Sequence, residues 1–256
     1  MQPSVFDISV IINAHNEELL IGGTLTSVEQ AVAMAQSKGL LVEIFCVLDK
    51  SSPLTSEIIS TWATKHEHAR VLDVQFGDLG LARNSGVATA SGEWIAFVDG
   101  DDLWGENWLT AAHQAALAEP RSTIWHPEVN LYFSARPHAF VHIDMDDPTF
   151  SPSILALTNC WTALCFAKRS VFVDVPYRQV DHHRQIGYED WAWNIETIAL
   201  GNIHKIVPGT SHAIRTKEES LVRRTTAAGC LPYPTNMFRD ILAERHASRR
   251  SSDPSF

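Results

Sequence analysis

The sequence predicts an α/β fold: a mainly parallel sheet flanked by helices, with a smaller second lobe. Three observations carry this. Short apolar runs, rich in β-branched residues, recur at Ile8 to Ile12, Val42 to Leu48, Val71 to Val74 and Trp94 to Val98. Segments with helical spacing separate them, so the order is β-α-β-α-β-α-β. The runs are mainly apolar rather than alternating, interrupted only by Ser9, Glu43 and Asp73, which suits strands covered on both faces.

The elements follow in order. After the first strand, Asn16 has the chemistry of an N-cap, and Glu17 and Glu18 suit a helix's first turn. That helix is expected to reach about Ser37 and stop at Lys38-Gly39. The second strand ends at Asp49, and Ser51-Ser52-Pro53 opens a helix to about His66. Helical spacing returns from Leu79 to Ala90 and breaks at Gly92. The fourth strand runs straight into Asp99-Gly100-Asp101-Asp102. A helix from Asn107 to about Ala118 is ended by Glu119-Pro120. Thr123 to Phe133 and Ala139 to Ile143 are expected strands around Arg136-Pro137, followed by an acidic loop from Asp144 to Pro152. Cys160 to Phe172 is apolar and aromatic, and Val180 to Ile186 is a polar loop. Tyr188-Glu189-Asp190-Trp191 leads into a helix to Leu200, capped by Gly201. A strand around His204 to Val207 and a helix from Asn236 to about His246 complete the chain. One domain over 1–246 is expected, in halves 1–103 and 104–246, with a disordered tail at 247–256.

Composition narrows the partners. Apolar residues make up 45% of 256 residues, enough for a sizeable core. Thirty acidic residues against twenty basic ones argue against a nucleic-acid partner. Cys46, Cys160, Cys165 and Cys230 have no metal-binding spacing. No apolar run reaches the length of a membrane span, and MQPSVFDISVII lacks the basic start of a signal peptide. A cytoplasmic protein is expected. Met237 to Arg250 sets Phe238, Ile241 and Leu242 beside Arg239, Arg245, Arg249 and Arg250. That pattern fits either a solvated helix or a peripheral contact at the membrane's inner face.

In open sheets of this kind, ligands bind beyond the carboxyl ends of the strands. His15, Asn16 and Glu17 follow the first strand, Asp49 the second, and Asp99 to Asp102 the fourth. Three carboxylates in four residues repel one another, but they are useful if Mg2+ or Mn2+ sits between them. An acidic turn capping a helix at Asp102 is the alternative.

Together these pieces resemble the family 2 glycosyltransferases of the GT-A fold, over roughly residues 7–222. Five motifs in order carry the resemblance: ISVIINAHNEE at Ile8 to Glu18, Asp49, GLARNSGVATASGEWIAFVDGDD at Gly80 to Asp102, FAKRSVF at Phe166 to Phe172, and GYEDWAW at Gly187 to Trp193. Asn13 stands where the family usually has proline, and Val175-Pro176-Tyr177 replaces a common glycine pair. His126 to Asp147 matches nothing in the family pattern.

The resemblance implies a metal-dependent, inverting sugar transfer from a nucleotide-sugar, with UDP as default and GDP-mannose and dTDP-rhamnose open. The acceptor would be a hydroxyl of a saccharide or lipid-linked saccharide, in bacterial surface polysaccharide synthesis. Residues 1–103 would bind the donor and 104–246 the acceptor. Asp101 becomes the metal ligand, with Asp99 on the ribose or supporting the metal. Asp102 is either a second ligand or a helix cap. Asn16, Glu17 and Gly100 join the donor site, Asp49 bonds the base, and Arg83 lies near the nucleotide while pairing with Asp78 or Asp99. Asp190 is the general base, its pKa raised by adjacent Glu189. Trp161 and Tyr188 are platforms for a sugar, whereas Trp191 and Trp193 pack. His212 would join the metal or the diphosphate, and Arg215 and Lys217 would reach the diphosphate from a mobile lid. Two rivals remain: a nucleotidyltransferase, which the absence of lysine or arginine in Asn13 to Glu17 disfavours, and a non-catalytic sugar-nucleotide-binding module.

Overall fold

A computed structural model describes residues 5–218 and 220–236. Four strands, β1 (Ile8–Ala14), β2 (Val42–Asp49), β3 (Ala69–Val74) and β4 (Trp94–Asp99), lie parallel in the order β3-β2-β1-β4. Helices α1 (Ile21–Ser37), α2 (Pro53–Ala63) and α3 (Leu79–Thr89) connect them. Every residue of β1 and β2 is buried, which is why both read as mainly apolar runs, broken by Ser9 and Asn13 in β1 and by Glu43 and Asp49 in β2. Ile8, Val10 and Ile12 face one core with α1, while Ile11 faces another with Ala82 and Val87 of α3.

The chain then adds β5 (Leu103–Trp104), α4 (Trp108–Ala118), β6 (Thr123–Ser134), β7 (His138–Val141), β8 (Phe166–Lys168), α5 (Arg169–Asp174), α6 (Glu189–Ala199), β9 (Ile203–Thr216) and α7 (Leu221–Ala227). The sheet continues from β4 as β8-β6-β9-β5, with β7 on β6. β8 runs antiparallel to both β4 and β6, so the sheet is parallel in its first half and mixed in its second. One sheet therefore passes through both halves of the chain. The helix, tail and membrane contact expected beyond residue 236 lie outside the described residues. No helix among the described residues is long and apolar enough to cross a membrane.

Two elements differ from expectation. Asn16 does not cap α1, which begins only at Ile21 with no side-chain cap at Leu20. Asn16 Oδ1 instead accepts from the Ser52 amide at 3.0 Å, and Glu18 Oε2 accepts from the Ser52 and Thr55 hydroxyls. The open amino end of α2 thus claims this loop. β9 is also far longer than His204 to Val207. Pro208 and Gly209 interrupt its pattern, but a bulge opposite them, between Pro127 and Val129 of β6, restores pairing as far as Thr216.

A buried polar knot closes the amino end of the sheet. Ser9 Oγ donates to Glu43 at 2.6 Å, and the Ser91 and Gly92 amides donate to the same carboxylate. A Cβ at Gly92 would lie 2.6 Å from the Ser9 nitrogen and 2.8 Å from the Ile8 carbonyl carbon. Both are backbone atoms of the central strand and cannot yield. Gly92→Ala is therefore expected to cost about 1–3 kcal/mol. The urea midpoint reads this loss, and an unchanged midpoint would refute it.

Candidate active site

β1 lies between β2 and β4, so the strand order reverses between β1 and β4, and a crevice opens there at their carboxyl ends. Asn13 pairs with Asp99 in register, and the Gly100 amide donates to the Asn13 carbonyl at 2.8 Å. A Cβ at Gly100 would come within 3.1 Å of that carbonyl oxygen. The glycine expected to admit a donor therefore admits the end of β1. Asn13, in the place of the usual proline, is buried with both amide atoms unpartnered.

Arg83 is the hub of the site. It is 2% exposed, holds both Asp99 oxygens at 3.1 Å through Nη2, and donates to Glu189 Oε1 at 3.0 Å through Nη1. One guanidinium thus joins α3, β4 and α6. Burial works against its charge, but Asp99 and Glu189 outweigh burial and raise its pKa. The pairing with Asp99 was expected; the one with Glu189 was not. Asp78 caps α3 instead, accepting from Leu81 at 2.9 Å.

The acidic residues take distinct roles. Asp102 is buried and accepts from the Arg215 amide at 2.8 Å, so it pins β9 and caps no helix. Burial, then the charges of Asp101 and Asp99, push its pKa well up. Asp101 Oδ2 meets Lys217 Nζ at 2.7 Å, and the same ammonium is 3.9 Å from Glu17. Burial pulls Lys217 down, but its hydrogen bond to Asp101 carries the pKa above the usual lysine value. Burial likewise raises Glu17. Arg215 lies over the Phe133 ring, 4.5 Å from its centroid. The expected lid residues therefore already stand at the acidic edge, on or just past β9.

A cavity of about 410 Å³ extends from Arg83, Asp99 and Asp102 to Asp190, with Tyr132, Phe140, Tyr188 and Trp191 on its walls. Asp190 receives the Trp191 amide on Oδ1 at 2.8 Å. Burial, reinforced by the charge of Glu189, raises its pKa to about 7. Tyr188 adopts a left-handed backbone (φ 55°) at the start of α6, and its hydroxyl lies 2.8 Å from Thr226 Oγ1 on α7.

Three expected site residues are placed differently. Asp49 turns its carboxylate onto the loop before α3, accepting from the Gly77 and Asp78 amides at 2.8 and 2.9 Å. It orders that loop rather than waiting free for a base. Trp161 is 1% exposed, donates to the Ile143 carbonyl and stacks on His204 with centroids 4.2 Å apart. It supports the cavity floor and offers no open face to a sugar. His212 is buried against Trp108, with neither ring nitrogen hydrogen-bonded, and burial pushes its pKa well down. Asp99, Asp101 and His212 do not converge: among the described residues, no group of three or more His, Cys, Asp or Glu is arranged to hold a metal ion. The donor chemistry at Asp101 nevertheless suits Mg2+ or Mn2+, because a hard carboxylate oxygen there already holds a cationic group, Lys217.

Comparison with known proteins adds the lineage. The model of the family described as "Glycosyl transferase family 2" matches residues 9–155. A poly(ribitol-phosphate) beta-glucosyltransferase of Bacillus spizizenii is 35% identical over 104 residues, covering 40% of this chain and 16% of that protein. The uncharacterized glycosyltransferase EpsJ of Bacillus subtilis is 32% identical over 95 residues, covering 37% and 26%. A truncated TarS of S. aureus, solved with UDP-GlcNAc, superposes with a TM-score of 0.63 at 19% identity, covering 84% of this chain and 60% of that one. The chain thus spans 16% and 26% of these curated relatives and about three fifths of the TarS structure. The shared architecture is the GT-A fold anticipated from the motifs.

Proposed function

The chain belongs to glycosyl transferase family 2, and from that membership we propose that it transfers a sugar, with inversion, from a nucleotide-sugar to an acceptor hydroxyl. The observation that carries this is Asp190: a carboxyl with a pKa near 7, on the wall of a cavity whose other end holds Asp99 and Arg83. A base working near neutral pH needs such a value. Glu189 is occupied by Arg83, which leaves Asp190 as the proton acceptor of the pair and suits a one-step displacement.

In that reaction Asp190 takes the proton of the acceptor hydroxyl as its oxygen bonds to the anomeric carbon. The bond from that carbon to the diphosphate oxygen breaks, and its electron pair leaves with the nucleoside diphosphate. Asp101 would hold Mg2+ or Mn2+, which would neutralise charge on the leaving diphosphate. Lys217, freed from Asp101, and Arg215 add cationic groups on the same side. A UDP-sugar is the favoured donor because the TarS structures hold UDP and UDP-GlcNAc. A surface polymer is the favoured acceptor class because the Bacillus spizizenii relative glucosylates poly(ribitol-phosphate).

The test is a panel of sugar nucleotides, with and without Mn2+, scored by thermal stabilisation and by product. A bound nucleotide raises apparent stability by about 2.7 kcal/mol at a hundred times its Kd. UDP-sugars with Mn2+ are expected to stabilise the wild type and not Asp101→Ala, and turnover is expected to release nucleoside diphosphate. Pyrophosphate as product would mean a nucleotidyltransferase, and binding without turnover a binding module.

A further inference from the structure

Asp190 has a second hydrogen-bond partner from a distant part of the chain. Asn159, in the segment before β8, donates from Nδ2 to Asp190 Oδ2 at 3.0 Å. Its own Oδ1 accepts from Asn194 Nδ2 at 2.9 Å, one turn along α6 from Asp190. Asn194 Nδ2 also donates to the Trp161 backbone carbonyl at 3.2 Å. A carbonyl can only accept, so it fixes which way the Asn194 amide faces. Asn194 then presents a donor to Asn159, which must answer with its oxygen and turn its own NH2 toward Asp190. A main-chain atom thus sets the polarity of the whole relay. Asn194 is 1% exposed, so water has little access to scramble it.

We propose that Asn159 is a positioning residue for the general base, holding the Asp190 carboxylate in its ionised, proton-accepting form and in one rotamer. The proposal rests on Asp190 being the base, as argued above. The Trp191 amide occupies Oδ1 and Asn159 occupies Oδ2, so the plane of the carboxylate is fixed from both sides. Asp190 and Asn159 both line the cavity.

The surroundings of Asp190 set what this bond opposes. The groups acting on or near Asp190 are Glu189 beside it, Arg83 from α3, Tyr132 on β6, Cys165 before β8 and Tyr177 after α5. Arg83 is the cation among them, and its two terminal nitrogens, Nη1 and Nη2, are bonded to Glu189 and Asp99. A donor that cannot accept favours the carboxylate over the acid and so opposes burial and Glu189.

The test is a 13C-carboxyl NMR titration of the full chain labelled at aspartate, with the Asp190 signal identified by its loss in Asp190→Asn. In Asn159→Ala the Asp190 midpoint is expected to rise by roughly half a pH unit or more. Affinity for UDP with Mn2+, read by calorimetry, is expected to stay unchanged. Asn159→Ser, which keeps a hydroxyl donor, should recover part of the shift. In the wild type, the Asn159 side-chain amide signals should titrate with the Asp190 midpoint, a readout that needs no variant to fold. An unchanged midpoint in folded Asn159→Ala, or Asn159 amide signals indifferent to that midpoint, would overturn the proposal. Loss of the base reading shows separately, as full transfer activity in Asp190→Asn.

Discussion

Asp190→Asn is expected to lower the rate of sugar transfer by about 10²–10⁴-fold, the usual contribution of a general base. The donor should bind as before, because the substitution removes a proton acceptor and little volume. In the wild type, activity should rise with pH through about 7, where the base becomes ionised, and then level off. The stability effect has the opposite sense to the activity effect. A carboxyl whose folded pKa is raised adds stability as pH falls and withdraws it as pH rises through that pKa. Above pH 7 the wild type carries the cost of a buried charge that asparagine does not. Asp190→Asn should therefore be the more stable protein at pH 8. Its advantage should shrink as pH falls from 7 toward the ordinary aspartate value near 4. Urea midpoints at pH 8 and pH 5 read this directly. A variant less stable at pH 8 than at pH 5, relative to wild type, would remove burial as the cause of the raised pKa.

Arg83→Leu is expected to cost about 3–5 kcal/mol, the loss seen when one partner of a buried charge pair is removed. Asp99 and Glu189 would be left facing each other across an apolar side chain, with Glu189 itself 8% exposed. Arg83→Lys should recover little, because a single ammonium cannot reproduce a planar fork that serves two carboxylates on different elements. Both variants should also lose transfer, since Asp99 and the start of α6 are held through this one group. Chemical denaturation with a donor-binding assay separates the effects. A stability loss below about 1 kcal/mol in Arg83→Leu, within the range of a surface pair, would sink the hub assignment.

The parallel half of the fold was legible because β1, β2 and β4 are buried on both faces, which leaves mainly apolar runs in the chain. The acidic edge was legible because Asp99, Asp101 and Asp102 violate that pattern at a strand end. What stayed hidden depended on contacts distant in sequence. The pairing of Arg83 with Glu189 spans 106 positions and leaves no local mark. Asn159 looks like any loop amide until Asp190 and Asn194 are placed beside it. Residue type also misled where one side chain serves two uses. Trp161 is equally suited to stacking a sugar or filling a core, and only its 1% exposure decides between them. Asp49 is equally a base-binding group or a loop anchor, and the Gly77 and Asp78 amides decide that. Pro208 and Gly209 hid the continuation of β9, and with it the position of Lys217.

The contact between Lys217 and Asp101 has a consequence for the order of binding. A tethered ammonium acts as a competitor whose local concentration never falls, whatever is added to solution. A divalent ion offered alone must displace it and gains nothing from the lysine it releases. An ion arriving with a nucleoside diphosphate also displaces it, but the freed ammonium then meets a new set of anionic oxygens. Ion and nucleotide should thus each tighten the other's hold by the same factor. On the proposed reading, the resting protein would discriminate against a bare metal and favour the chelate, with Lys217 as an exchangeable counter-ion that makes the two ligands arrive as one.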